Sequence, residues 1–244
     1  MIGCLCIHGF TGSPEEVAPL ADYLRERTDW MIETPTLPGH GSELRLKGIT
    51  YDQWIAAAEQ AFLALHRRCS VVYVIGFSMG GVIAVYLAEK YPVAKLVLLS
   101  AAFYYVNPRQ LWRDIREMFA NGWKGAREHP LFLRYRNKMM ATPFSAVREF
   151  CKLVRDVRPR LPRVAAPALI VQGEKDGIVP LKLTFRTLTR SKQRIFYLVF
   201  QNNFLTNTTS DGYPFLPSLV VPYDVTRKCS HPAPTPAESF VVQG

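Results

Sequence analysis

Residues 76–80 read Gly76-Phe77-Ser78-Met79-Gly80, a G-x-S-x-G with Gly81 behind it. Small residues on either side of a serine at this spacing let a strand turn sharply into a helix. The turn lifts the serine oxygen clear of a sheet, and the helix N-terminus aims N–H groups at developing negative charge. The chemistry this suits is acyl transfer, with Ser78 as the expected nucleophile. A second segment, His8-Gly9-Phe10-Thr11-Gly12, follows the first apolar run. Such a loop can lend a backbone N–H to an oxyanion hole, beside the N–H of the residue after the nucleophile. The expected donors are therefore the main chains of Phe10 and Met79. A third segment, GEKDGIVP at 173–180, places Asp176 after a late apolar run. A carboxylate there would orient a histidine and stabilise its imidazolium. Glu174 is the less well placed alternative. His8 is not the expected base, because the order that accompanies such a serine is Ser, acid, His. It reads instead as a histidine that braces its loop.

These segments need elements to hold them. Apolar runs at 3–7, 31–34, 71–75, 96–99 and 168–171 alternate with amphipathic stretches. The run at 71–75 is β-branched and aromatic throughout, as in a strand buried on both faces. A helix is expected from Pro14, with Ser13 as N-cap and Glu16 completing an S-x-x-E capping box. Residues 51–67 carry Trp54, Ala58, Ala61, Phe62 and Leu65 on one helical stripe. Residues 79–90 form a further helix, which Pro92 stops. LPGHG at 37–41 is a turn. Alternation of this kind predicts an α/β fold with a mostly parallel sheet and helices on both faces.

An insertion at about 104–163 is helical in pattern and rich in Trp, Phe and Met. It is expected as a small helical cap over the C-terminal edge of the sheet, where sites of this fold class form. It also holds fourteen Lys and Arg against five Asp and Glu, which accounts for most of the net charge of +10. A basic surface of that kind attracts anionic substrates or membranes, or simply faces water. No nucleic-acid motif accompanies it.

Five cysteines, Cys4, Cys6, Cys69, Cys151 and Cys229, fit neither a disulfide framework nor a zinc motif. The N-terminus lacks a secretory layout, and no apolar run reaches the ~18 residues of a membrane span. A soluble, cytoplasmic protein is expected, with its oligomeric state left open.

Together HGFTGSP, LPGHG, GFSMGG and GEKDGIVP resemble the carboxylesterase and monoacylglycerol lipase branch of the α/β-hydrolase fold, from the first residues to about Tyr197. The resemblance implies a serine hydrolase that cleaves short acyl esters or monoacylglycerols through an acyl-enzyme. It implies Ser78 as nucleophile, Asp176 as acid, the Phe10 and Met79 amides as oxyanion hole, a small-molecule ester as substrate, and no cofactor or metal. A thioesterase acting on anionic acyl donors is the alternative within the fold.

The sequence departs from the family at its end. The expected strand at 193–199 is present, but the loop after it, FQNNFLT, has no histidine. The α/β domain therefore reads as 1–199, and 200–244 as an atypical tail interrupted by six prolines. His231 lies in that tail and is the only histidine after Asp176. Three accounts stay open: the tail folds back and presents His231 to Ser78, a shift of reading frame replaced the true ending, or the protein is a non-hydrolytic relative, impaired by the loss of its base, that binds a ligand or partner.

Overall fold

The computed structural model describes residues 1–104 and 142–173, and the backbone of 195–200. Strands β1 (Ile2–Ile7), β2 (Met31–Glu33), β3 (Val71–Phe77), β4 (Lys95–Leu99), β5 (Ala168–Gly173) and β6 (Ile195–Phe200) form one sheet. Its order is β2-β1-β3-β4-β5-β6, and the five pairings are all parallel. The chain order reverses at β1, with β2 on one side and β3 on the other. Loops leaving neighbouring strands at such a reversal diverge to opposite faces and open a crevice at the strands' carboxyl ends. The register runs from Ile2 beside Val71 to Ile7 beside Gly76. It therefore brings the loop starting at His8 level with the turn at Ser78.

Four helices among the described residues cover the sheet: α1 (Ala18–Arg27), α2 (Tyr51–Arg68), α3 (Met79–Lys90) and α4 (Phe144–Val157). Side chains alternate along β1 with the period of a strand. Leu5 and Ile7 join the larger core, with Trp54, Phe62 and Leu65 of α2, Ile83 and Leu87 of α3, and Val147 and Val154 of α4. Cys4 and Cys6 face the other way and pack with Val17, Ala21, Ile75 and Phe77. Helix α3 is buried from Met79 to Val85 without a break, which explains why its sequence shows no polar face.

The expected start of the first helix is corrected. Residues Pro14–Glu16 form a separate 3-10 turn, the α-helix begins at Ala18, and the Ser13 side chain makes no capping bond. Pro19 is the physical reason. A proline lacks its N–H and is tolerated only in the first turn of a helix. A helix begun at Pro14 would have placed Pro19 in its interior. Glu16 is released from the cap and bends back to the Gly9 amide.

Only the ends of the 104–163 insertion lie within the described residues. The aromatic and methionine side chains expected in a cap at 112–140 fall outside them. Helix α4 packs inside the main core, where Phe150 and Leu153 are almost fully buried. At its far end Tyr51 Oη donates to Asp156 Oδ2 at 2.7 Å, joining the start of α2 to α4. That hydrogen bond, with burial and the nearby carboxylates, pushes the Tyr51 phenol up from 10 to about 12. The folded protein then holds a proton that the unfolded chain releases, so stability falls as pH rises from 10 to 12. Tyr51→Phe is expected to flatten that part of the curve of thermal midpoint against pH. An unchanged alkaline slope would place its origin elsewhere.

Candidate active site

Ser78 lies between the last residue of β3 and the first of α3, with φ 52° and ψ −113°. A positive φ is rare for a residue with a side chain and costs of order 1–3 kcal/mol. Three hydrogen bonds hold it there. The Ser78 N–H donates to the Leu99 carbonyl at 2.9 Å, and its own carbonyl accepts from Gly81 at 3.1 Å and Ala102 at 3.2 Å. The flanking glycines are required by close approach. A Cβ on Gly76 would strike the Gly80 carbonyl, and one on Gly80 would meet the carbonyls of Ile7 and His8. The Ser78 side chain makes no capping bond to α3. Ser78 is partly buried at the carboxyl end of β3, an interior strand of the sheet.

The loop after β1 runs against this serine. A Cβ on Gly9 would lie 3.3 Å from Ser78 Cβ. Gly9-Phe10-Thr11-Gly12 is a turn closed by the Gly12 N–H on the Gly9 carbonyl at 3.3 Å, with Thr11 at φ 63°. Neither the Phe10 amide nor the Met79 amide donates to a described residue. Met79 is the first residue of α3, so its N–H has no acceptor within the helix. The site thus combines a hydroxyl, a helix N-terminus and two uncommitted amides.

His8 is buried and braced as expected. Its Nδ1–H donates to the Gly9 carbonyl at 2.9 Å, and Nε2 accepts the Leu37 N–H at 3.1 Å. That pair fixes the neutral tautomer with its ring lone pair engaged, so His8 has none to offer Ser78. The role of LPGHG was visible only as a turn. Here His40 Nδ1 and Trp54 Nε1 both donate to the Pro38 carbonyl, each at 3.0 Å. The Phe10 ring packs edge-on to His40 and Trp54 and stacks on Phe150 at 5.1 Å between centroids. The Phe10 side chain is thereby pinned behind its own amide. No local pattern announces this cluster, because its members come from four segments of the chain.

Asp176, Glu174 and His231 lie outside the described residues. β5, whose end precedes the Asp176 segment, is next to β4, and β4 is next to β3. Among the described residues no group of three or more His, Cys, Asp or Glu could hold a metal ion. No described helix is long and apolar enough to cross a membrane.

This chain is 29% identical over 231 residues to the thermostable monoacylglycerol lipase of Bacillus sp. strain H-257, covering 88% of this chain and 87% of that one. It is 25% identical over 179 residues to a carboxylesterase of Bacillus subtilis strain 168, covering 72% of each. The solved structure from work on the metagenome-derived lipolytic enzymes LipS and LipT superposes with a TM-score of 0.63 at 27% identity, over 82% of this chain and 84% of that one. Residues 4–221 match the alpha/beta hydrolase family. With that match over a parallel sheet bearing a serine at a strand–helix turn, the chain belongs to the alpha/beta hydrolase family.

Proposed function

We propose that this alpha/beta hydrolase cleaves carboxylic esters, short acyl esters or monoacylglycerols, through an acyl-enzyme on Ser78. The observation that carries the reading is the strained, triply tethered Ser78 beside two amides that no described residue engages. Similarity to a monoacylglycerol lipase and a carboxylesterase supports the substrate class.

In this reading the ester carbonyl oxygen lies at the Phe10 and Met79 amides. Ser78 Oγ attacks the carbonyl carbon while His231 takes its proton and Asp176 steadies the imidazolium. The two N–H groups hold the tetrahedral oxyanion, each worth ~3 kcal/mol of barrier. Collapse expels the alcohol, which takes the proton from the imidazolium. Water then attacks the acyl-serine by the same route and restores the free hydroxyl.

The test is a rapid-mixing assay with p-nitrophenyl butyrate. A burst of nitrophenol equal to the protein present, with a butyryl adduct on the acid-quenched chain, is the expected result. Turnover that Ser78→Ala leaves unchanged would remove the acyl-enzyme on Ser78, and no turnover by the folded chain would remove ester hydrolysis. His231→Ala is expected to cost about 10³-fold or more in kcat. Unchanged turnover in that variant would exclude His231 as the base.

A further inference from the structure

We infer that Glu16 is a positioning residue for the oxyanion loop, holding the Gly9–Gly12 turn in register so that the Phe10 amide faces Ser78. The inference rests on the hydrolytic reading above. Glu16 Oε2 accepts the Gly9 N–H at 2.8 Å, in a partly buried setting. The carboxylate lies so tightly against Gly12 that any Cβ there would strike it. One side chain therefore bonds the turn at Gly9 and lies against it at Gly12. The space beside Gly9 is shared with the serine: a Cβ there would meet Glu16 Oε2 at 3.2 Å and Ser78 Cβ at 3.3 Å.

The turn needs such a grip. Thr11 is β-branched and nearly fully buried, yet sits at φ 63°. A residue of that type leaves the left-handed region unless its surroundings over-determine it. Other tethers act on the same turn: His8 Nδ1–H and the Gly12 N–H both donate to the Gly9 carbonyl, Leu37 N–H holds His8, and Gly41 N–H holds the Gly12 carbonyl at 3.2 Å. Among these tethers Glu16 is the one that accepts the Gly9 N–H. With that N–H committed, the next one along, that of Phe10, is left for a ligand oxygen.

The device acts through hydrogen-bond acceptance and not through charge. A negative charge on the loop beside a forming oxyanion opposes it, because like charges repel. A glutamine keeps an acceptor oxygen at the same reach without the charge. A misplaced amide donor, by contrast, forfeits stabilisation that only the transition state draws on, which lowers kcat and leaves KM.

The experiment compares wild type, Glu16→Gln and Glu16→Ala in the full chain by two readouts. With p-nitrophenyl butyrate, Glu16→Ala is expected to lose at least about tenfold in kcat with KM little changed. Glu16→Gln should stay within about threefold of wild type or exceed it. In amide hydrogen exchange read by mass spectrometry, Glu16→Ala should raise exchange in residues 9–12 by at least about tenfold, with β3 and α3 as protected as in wild type. Glu16→Gln should restore that protection. Unchanged exchange and unchanged kcat in Glu16→Ala would overturn the inference, as would a glutamine variant no better than alanine. A wild-type chain that is folded but inactive would overturn the hydrolytic reading, and the exchange difference would still decide whether Glu16 holds the loop.

Discussion

Ser78→Ala is expected to lower kcat for p-nitrophenyl butyrate by about 10⁴-fold or more while leaving the fold intact. Without Oγ no acyl-serine forms, and only oxyanion stabilisation and binding remain to assist water. The fold survives because the hydroxyl caps nothing and the three bonds that hold Ser78 are made by its backbone. Ser78→Gly should be equally inactive yet more stable than the alanine variant. Glycine adopts φ 52° without the clash that a Cβ brings. Relief of the strain, less the freedom glycine gains on unfolding, leaves about 1 kcal/mol, or a rise of a few degrees in thermal midpoint. Activity that survives Ser78→Ala would move the nucleophile elsewhere. A glycine variant less stable than the alanine one would remove the strain from the account.

Gly80→Ala is expected to damage the protein through its body and not through its chemistry. The new methyl would lie against the Ile7 and His8 carbonyls, where β1 passes α3. Neither can yield easily, since Ile7 is paired with Gly76 in the sheet and His8 is fixed at Gly9 and Leu37. Overpacking of this kind costs about 3 kcal/mol or more, roughly a 10 °C fall in midpoint for a domain of this size. Activity should fall with the folded fraction and also in what remains folded, because the strand end carries the oxyanion loop. A midpoint within a degree of wild type would show that α3 can shift away from β1 at no cost.

How much of this was legible in the sequence depended on the range of the interaction. The bounds of α3 at Met79–Lys90 could be read from 79–90 itself, since a glycine turn and Pro92 mark both ends locally. The apolar run at 71–75 marks a strand but stops two residues short of its end at Phe77, because Gly76 looks like a turn residue and yet pairs with Ile7. The S-x-x-E at Ser13 has the composition of a capping box, and only Pro19 argues against it. The position of Ser78 between a strand and a helix could be read locally, because G-x-S-x-G marks such a turn. The packing of Phe10 on Phe150, 140 residues away in sequence, follows from tertiary structure and leaves no trace in either segment. Helix α4 was read as part of an insertion by its place in the order, and its core face is evident only once α2 and α3 lie beneath it.

The parallel sheet also has a bearing on how the chain comes off the ribosome. No described strand pairs with a partner across a short hairpin: Ile2 waits for Val71, and Leu96 waits for Ala168. Parallel pairing requires a crossover before any ladder bond is made, so loop-closure entropy must be met before contacts compensate for it. During synthesis the apolar run of β1 emerges well before β3 and remains without that central neighbour until β3 has cleared the exit tunnel. A half-made chain therefore displays sticky strand surface for an interval set by translation speed.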